Sequence, residues 1–125
     1  MEIDHVTLRT SDIEGTRRFL EGLLDLEVGY RPDFPFPGYW LYRGSRPIVH
    51  LIPGGGRNVG RDAETIDHVG FKLEGYGAFR GKLDRQALPY STMDLPELNE
   101  RRLFVRTPNG ILVELVFREE PMATH

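Results

Sequence analysis

Four residues of this 125-residue chain combine side chains that bind metals or move protons with a spacing that repeats. His50 lies in Ile48-Val49-His50-Leu51-Ile52 and Glu114 in Leu112-Val113-Glu114-Leu115-Val116, each a polar group inside an otherwise apolar, strand-like run. An ionised carboxylate in such a run costs several kcal/mol unless it is paired, hydrogen-bonded or bound to a metal. His5 and His68 sit in identical tetrapeptides, Ile3-Asp4-His5-Val6 and Ile66-Asp67-His68-Val69, displaced by 63 residues. His5 to His50 spans 45 residues, His68 to Glu114 spans 46, and His50 to Glu114 spans 64, close to the repeat period. Three of the four histidines therefore fall on repeat-related positions, the fourth being His125. If the halves pack about a pseudo-twofold axis, three imidazoles and one carboxylate converge, and that is a divalent metal site. Glu114 has a second use open to it, an ion pair with Arg102 or Arg106 across a hairpin.

The elements that must position these residues follow from the same repeat. Each copy opens with period-two alternation, His5, Thr7 and Arg9 on one face against Val6 and Leu8 on the other, and then changes to a helical period. Ser11 and Glu14 have the spacing of a capping box, followed by an apolar stripe of Phe19, Leu20, Leu23 and Leu24. The second copy predicts a strand over Ile66 to Leu73 and a glycine-weakened helix carrying Tyr76, Phe79 and Leu83 and ending near Ala87. Three short strands follow each helix: Glu27 to Arg31, Tyr39 to Arg43 and Pro47 to Ile52, then Tyr90 to Met93, Arg102 to Arg106 and Ile111 to Phe117. The last two are joined by the turn Pro108-Asn109-Gly110. The order is βαβββ twice, an α+β chain with a first module at 1–53, a glycine-rich linker at 54–65, a second module at 66–120 and a tail at 121–125. The linker GGGRNVG lacks the GK[ST] ending of a phosphate-binding loop.

Composition narrows the partners. With 19 acidic against 16 basic residues and no basic run, nothing favours nucleic acid or an anionic membrane. No stretch approaches the ~18 apolar residues of a membrane span, and the start lacks a signal-peptide pattern. A cytoplasmic protein is expected. There is no cysteine, so the core must hold without disulfides, which this length permits.

The opening IDHVTLRTSDIEGTRRFLEGLLDLEVGY, the second IDHVGFKL and the closing TPNGILVELVF together resemble the vicinal-oxygen-chelate superfamily, which includes glyoxalase I, bleomycin-resistance proteins, fosfomycin-resistance enzymes and type I extradiol dioxygenases. The resemblance spans nearly the whole chain. It implies paired βαβββ modules curling into a cup around one divalent ion, Fe, Mn, Ni or Zn, with His5, His68 and Glu114 at metal positions. His50 matches a fourth position, a glutamate ligand in glyoxalase I and an acid/base histidine in extradiol dioxygenases. The chain departs from the first pattern at His50. It departs from the second at Phe104, which stands about where a catalytic tyrosine is placed.

The resulting expectation is a metal-dependent enzyme of the glyoxalase type, a lyase or isomerase, acting on a small-molecule substrate that chelates through vicinal oxygens. Metal ligands are His5, His50, His68 and Glu114, and candidate bases are His50 and Glu114. Ring-cleaving dioxygenase chemistry is the alternative, and metal-free drug binding a third. Trp40, Tyr39, Tyr42, Phe34 and Phe36 are candidates for an aromatic wall, and Arg9 for an anionic substrate group. A homodimer is expected.

Overall fold

The computed structural model describes residues 1–54, 64–107 and 112–118. Most of the expected linker, the Pro108-Asn109-Gly110 turn and the tail lie outside the described residues. Among those described, eight strands and two α-helices follow in the order β1 (Glu2–Thr10), α1 (Ile13–Leu24), β2 (Glu27–Gly29), β3 (Tyr39–Arg43), β4 (Arg46–Pro53), β5 (Thr65–Leu73), α2 (Tyr76–Arg85), β6 (Tyr90–Leu95), β7 (Glu100–Arg106) and β8 (Leu112–Arg118). This is the expected α+β order, βαβββ twice. None of the described helices is long and apolar enough to cross a membrane.

The chain divides into two compact units, His5–His68 and the remainder, 1–4 with 69–125. The boundaries fall inside β1 and β5, the strands that carry the repeated tetrapeptide. In the His5–His68 unit the strand order is β2-β3-β4-β1, with β1 parallel to β4 and the other pairs antiparallel. Leu26, Leu41, Val49 and Leu51 form its core, with Val6 and Leu8 of β1 packed against them. Alternation therefore turns His5 and Thr7 to the opposite face of β1. The two-residue turn between β3 and β4 uses Gly44 at φ 62°, a conformation open to glycine at little cost. Gly38 is required for another reason, because a Cβ there would lie 2.3 Å from the Leu51 carbonyl oxygen.

Two expectations about α1 are corrected. Its cap is Asp12, whose carboxylate accepts from the Gly15 amide at 2.9 Å, and no Ser11–Glu14 capping box forms. Glu64 draws Ser11 away, taking its amide at 2.7 Å and its hydroxyl at 2.5 Å, while Glu14 accepts from Tyr39 and Arg17. The helix also buries no residue. It docks along Glu14, Arg17 and Leu20, with Arg17 over the Tyr39 ring, so that Phe19, Leu23 and Leu24, turned out of that line, stay 49–63% exposed.

In the other unit the order is β5-β8-β7-β6, with β6, β7 and β8 antiparallel. Tyr76, Phe79 and Leu83 of α2 supply the expected stripe and pack with Leu103, Leu115 and Phe117. The odd-numbered residues of β7 and β8 face that core. Glu100, Arg102, Phe104 and Glu114 are left for the opposite face.

Candidate metal centre

Within the His5–His68 unit three rings stack. Register sets Thr7 of β1 and Trp40 of β3 on either side of His50 in β4. His50 lies flat between its neighbours, its ring centroid 4.0 Å from Trp40 at an interplanar angle of 6° and 3.9 Å from His5 at 14°. All three side chains are buried. The stack continues outward through Phe34, 6.3 Å from Trp40, and Phe36, and the Arg31 guanidinium lies 5.0 Å from both phenyl rings. Of the expected aromatic wall, Trp40, Phe34 and Phe36 belong to this row. Tyr39 and Tyr42 do not, since their hydroxyls bond to Glu14 and to the Tyr30 carbonyl.

His68 meets His5 differently, edge to face, with centroids 5.6 Å apart and planes at 89°. Its tautomer is assigned by its partners. Nδ1 lies 2.8 Å from Asp67 Oδ2, and because a carboxylate only accepts, Nδ1 carries the hydrogen. In the neutral imidazole Nε2 then holds the lone pair, and the buried Thr7 hydroxyl donates to it at 3.0 Å. Asp67 is itself clamped by Arg9, whose Nε and Nη2 donate to Oδ1 at 3.0 and 2.9 Å while Nη1 donates to the Pro53 carbonyl. Burial pushes the Asp67 carboxyl up, but the bonds from His68 and Arg9 prevail and hold it below its ordinary value. A histidine that gives its far N–H to a fixed carboxylate is oriented as metal-binding histidines are, so the donor set fits a divalent ion. Arg9, a candidate for a substrate anion, is thus occupied in orienting Asp67.

In the other unit Glu114 is 2% exposed and paired as the hairpin alternative anticipated, with Arg102. Nη1 of that buried guanidinium donates to Glu114 Oε2 at 2.7 Å and Nη2 to Glu100 Oε1 at 2.6 Å. Burial alone would lower the Arg102 pKa, yet Glu114 and Glu100 more than offset this and raise it. Phe104 stands opposite Glu114 in the β7–β8 register, so no phenol is presented at that position.

Sequence reasoning missed the Asp67 carboxylate, although its place beside His68 in the repeated tetrapeptide was a usable signal. Thr7 carried a weaker one, sharing a strand face with His5. Nothing local marks Glu100, whose role depends on where Arg102 is buried.

The sequence matches no family model and no curated protein. Its fold matches solved structures across nearly its whole length. A methylmalonyl-CoA epimerase from Mycobacterium tuberculosis aligns at TM-score 0.71 with 16% identity, over 95% of this chain and 89% of that one. The 2,3-dioxygenase LapB from Pseudomonas sp. KL28 aligns at 0.74 with 18% identity, over 95% of this chain and 41% of that one. An Mn(II)-bound glyoxalase from Novosphingobium aromaticivorans aligns at 0.68 with 16% identity, over 94% and 38%. This chain thus spans about two-fifths of the dioxygenase and of the glyoxalase. These likenesses, at 18% identity or less, establish the fold alone, which is also that of a glyoxalase/bleomycin resistance protein/dioxygenase superfamily member from Vibrio splendidus.

Proposed function

We propose that this chain is a divalent-metal-dependent enzyme of the glyoxalase type, moving a proton beside a carbonyl of a small substrate that chelates through two neighbouring oxygens. The ligands we assign are His5, His68 and Glu114, whose side chains have the chemistry of a divalent site, with His50 stacked on His5. The observation that carries this reading is the Arg9–Asp67–His68 relay, which fixes one imidazole in the tautomer whose Nε2 is the acceptor, the atom a cation would take in place of the Thr7 hydroxyl. A packing histidine needs no such fixed carboxylate.

A bound ion would supply Lewis acidity, offsetting the negative charge that develops on substrate oxygen as the proton leaves carbon. The remaining work falls to the chain. His68 is held in one tautomer by Asp67. Arg102 holds Glu114 by Oε2 with a charge-assisted bond, which orients the carboxylate that is also the candidate base. Return of that proton to carbon restores the carboxylate, so the reaction is redox-neutral and needs no dioxygen.

One observation favours a second reading. Two histidines and one carboxylate are also the ligand set of non-haem iron oxygenases. Extradiol ring cleavage is therefore the alternative, with Phe104 against it.

The test is metal analysis of protein purified without oxygen, followed by turnover assays with and without dioxygen. About one ion per chain is expected, lost in His68→Ala and Glu114→Ala while both variants stay folded. Metal content unchanged in both would refute the ligand assignment, and stoichiometric oxygen uptake with a catechol would replace isomerase by dioxygenase chemistry.

A further inference from the structure

The geometry points to His50 as a positioning residue: clamped between Trp40 and His5, it fixes the plane of the His5 imidazole and takes no place among the metal ligands. The inference deepens the metal-site reading above and rests on it for its functional consequence.

The lone pair of an imidazole nitrogen lies in the ring plane, so an ion shared by two histidines must lie near both planes. His5 and His68 are compatible with this, because planes at 89° with centroids 5.6 Å apart cross within that distance of both rings. His5 and His50 do not. Their planes differ by 14° with centroids 3.9 Å apart, and nearly parallel planes at that offset meet far beyond the ~2.1 Å reach of a metal–nitrogen bond. The other face of His50 is closed by Trp40 at 4.0 Å and 6°, so the ring cannot turn towards an ion without breaking two contacts. With Trp40 3% and His50 6% exposed, the clamp is buried. Both of its pairings are set by backbone register, Trp40 with His50 and His50 with Thr7, two residues along β1 from His5. A ligand ring must be held within ~10–20° of its working orientation, and a flat, backed surface does this for His5.

Substitutions that separate ring from nitrogen test the assignment. His50→Phe keeps a flat ring and removes both nitrogens; His50→Leu removes the ring as well. Co(II) affinity, measured by competition with a chromophoric chelator, is expected to stay within about threefold of wild type in His50→Phe. In His50→Leu it is expected to fall about 10- to 100-fold, the usual effect of losing a group that orients a ligand. In the metal-free protein the ring-current shift of the His5 imidazole protons by NMR is expected to persist in His50→Phe and collapse in His50→Leu. Equal losses of affinity in both variants would show that a nitrogen is required and would overturn the inference, as would an unchanged affinity in His50→Leu. Should His50→Phe fail to fold, Trp40→Phe and Trp40→Leu give the same contrast from the other side of the clamp, and equal affinities there would overturn it too. If the wild-type protein binds no Co(II), the metal-site reading falls, and the His5 shift still decides whether His50 orients that ring.

Discussion

Replacing Asp67 with alanine separates orientation of a ligand from stability of the fold, because the two effects differ in size. Asp67 accepts one bond from His68 Nδ1 and two from Arg9. Its pair with Arg9 is partly exposed, with side chains 39% and 21% accessible, so its loss costs stability only ~0–1 kcal/mol. Loss of the acceptor at His68 Nδ1 releases both the tautomer and the ring orientation. Removing such an outer partner lowers metal affinity about 10- to 100-fold, equivalent to roughly 1.4–2.8 kcal/mol. The affinity loss should therefore exceed the stability loss. Co(II) competition titrations paired with thermal melts of the metal-free protein measure the two. Asp67→Asn, which keeps an acceptor oxygen but no charge, should fall between wild type and Asp67→Ala. Affinity within twofold of wild type in Asp67→Ala, or an affinity loss no greater than the stability loss, would refute the orienting role.

Two further outcomes follow from other parts of the His5–His68 unit. Bonds from Ser11 and Thr10 hold the Glu64 carboxyl below its ordinary pKa of 4.5, so the stability it contributes is present above that pH and disappears as the pH falls through the lowered value. Wild type should melt above Glu64→Gln at neutral pH and the gap should close in acid; a gap that widens below pH 4.5 would contradict this. Static light scattering at micromolar concentration is expected to report a homodimer, consistent with the apolar surface of Phe19, Leu23 and Leu24 that α1 leaves exposed, and a monomer would end that proposal.

The sequence was most legible where a pattern was repeated or strictly periodic. Ile-Asp-His-Val at positions 3 and 66 located β1 and β5, and the apolar runs around His50 and Glu114 located β4 and β8, because an apolar pattern of the right length and period fixes the element. The stripe Tyr76, Phe79 and Leu83 was read correctly for the same reason. On α1 the apolar residues misled, since helical spacing tells which residues share a stripe but not which stripe docks; Tyr39, bonded to Glu14 and covered by Arg17, turned the polar line inward. The cap failed similarly, because Glu64, more than fifty residues away, competes for Ser11. The ring stack was invisible in sequence, as Trp40 and His50 meet only through the β3–β4 register.

Glu114 is where the metal reading and the structural alternative meet, and charge separates their consequences. A carboxylate neutralised in a private ion pair has little to offer a cation. Arg102, however, divides its guanidinium between Glu114 and Glu100, so within this network two buried carboxylates share one buried positive charge. Arg118 approaches Glu100 only at 3.5 Å and is 64% exposed, where solvent screens it. Glu114 therefore does not hold the guanidinium to itself, since Glu100 takes the other Nη. Arg102 thus orients Glu114 by one oxygen while dividing its charge with Glu100, and on the metal-site reading proposed above the carboxylate held in this way would be the one that serves the ion.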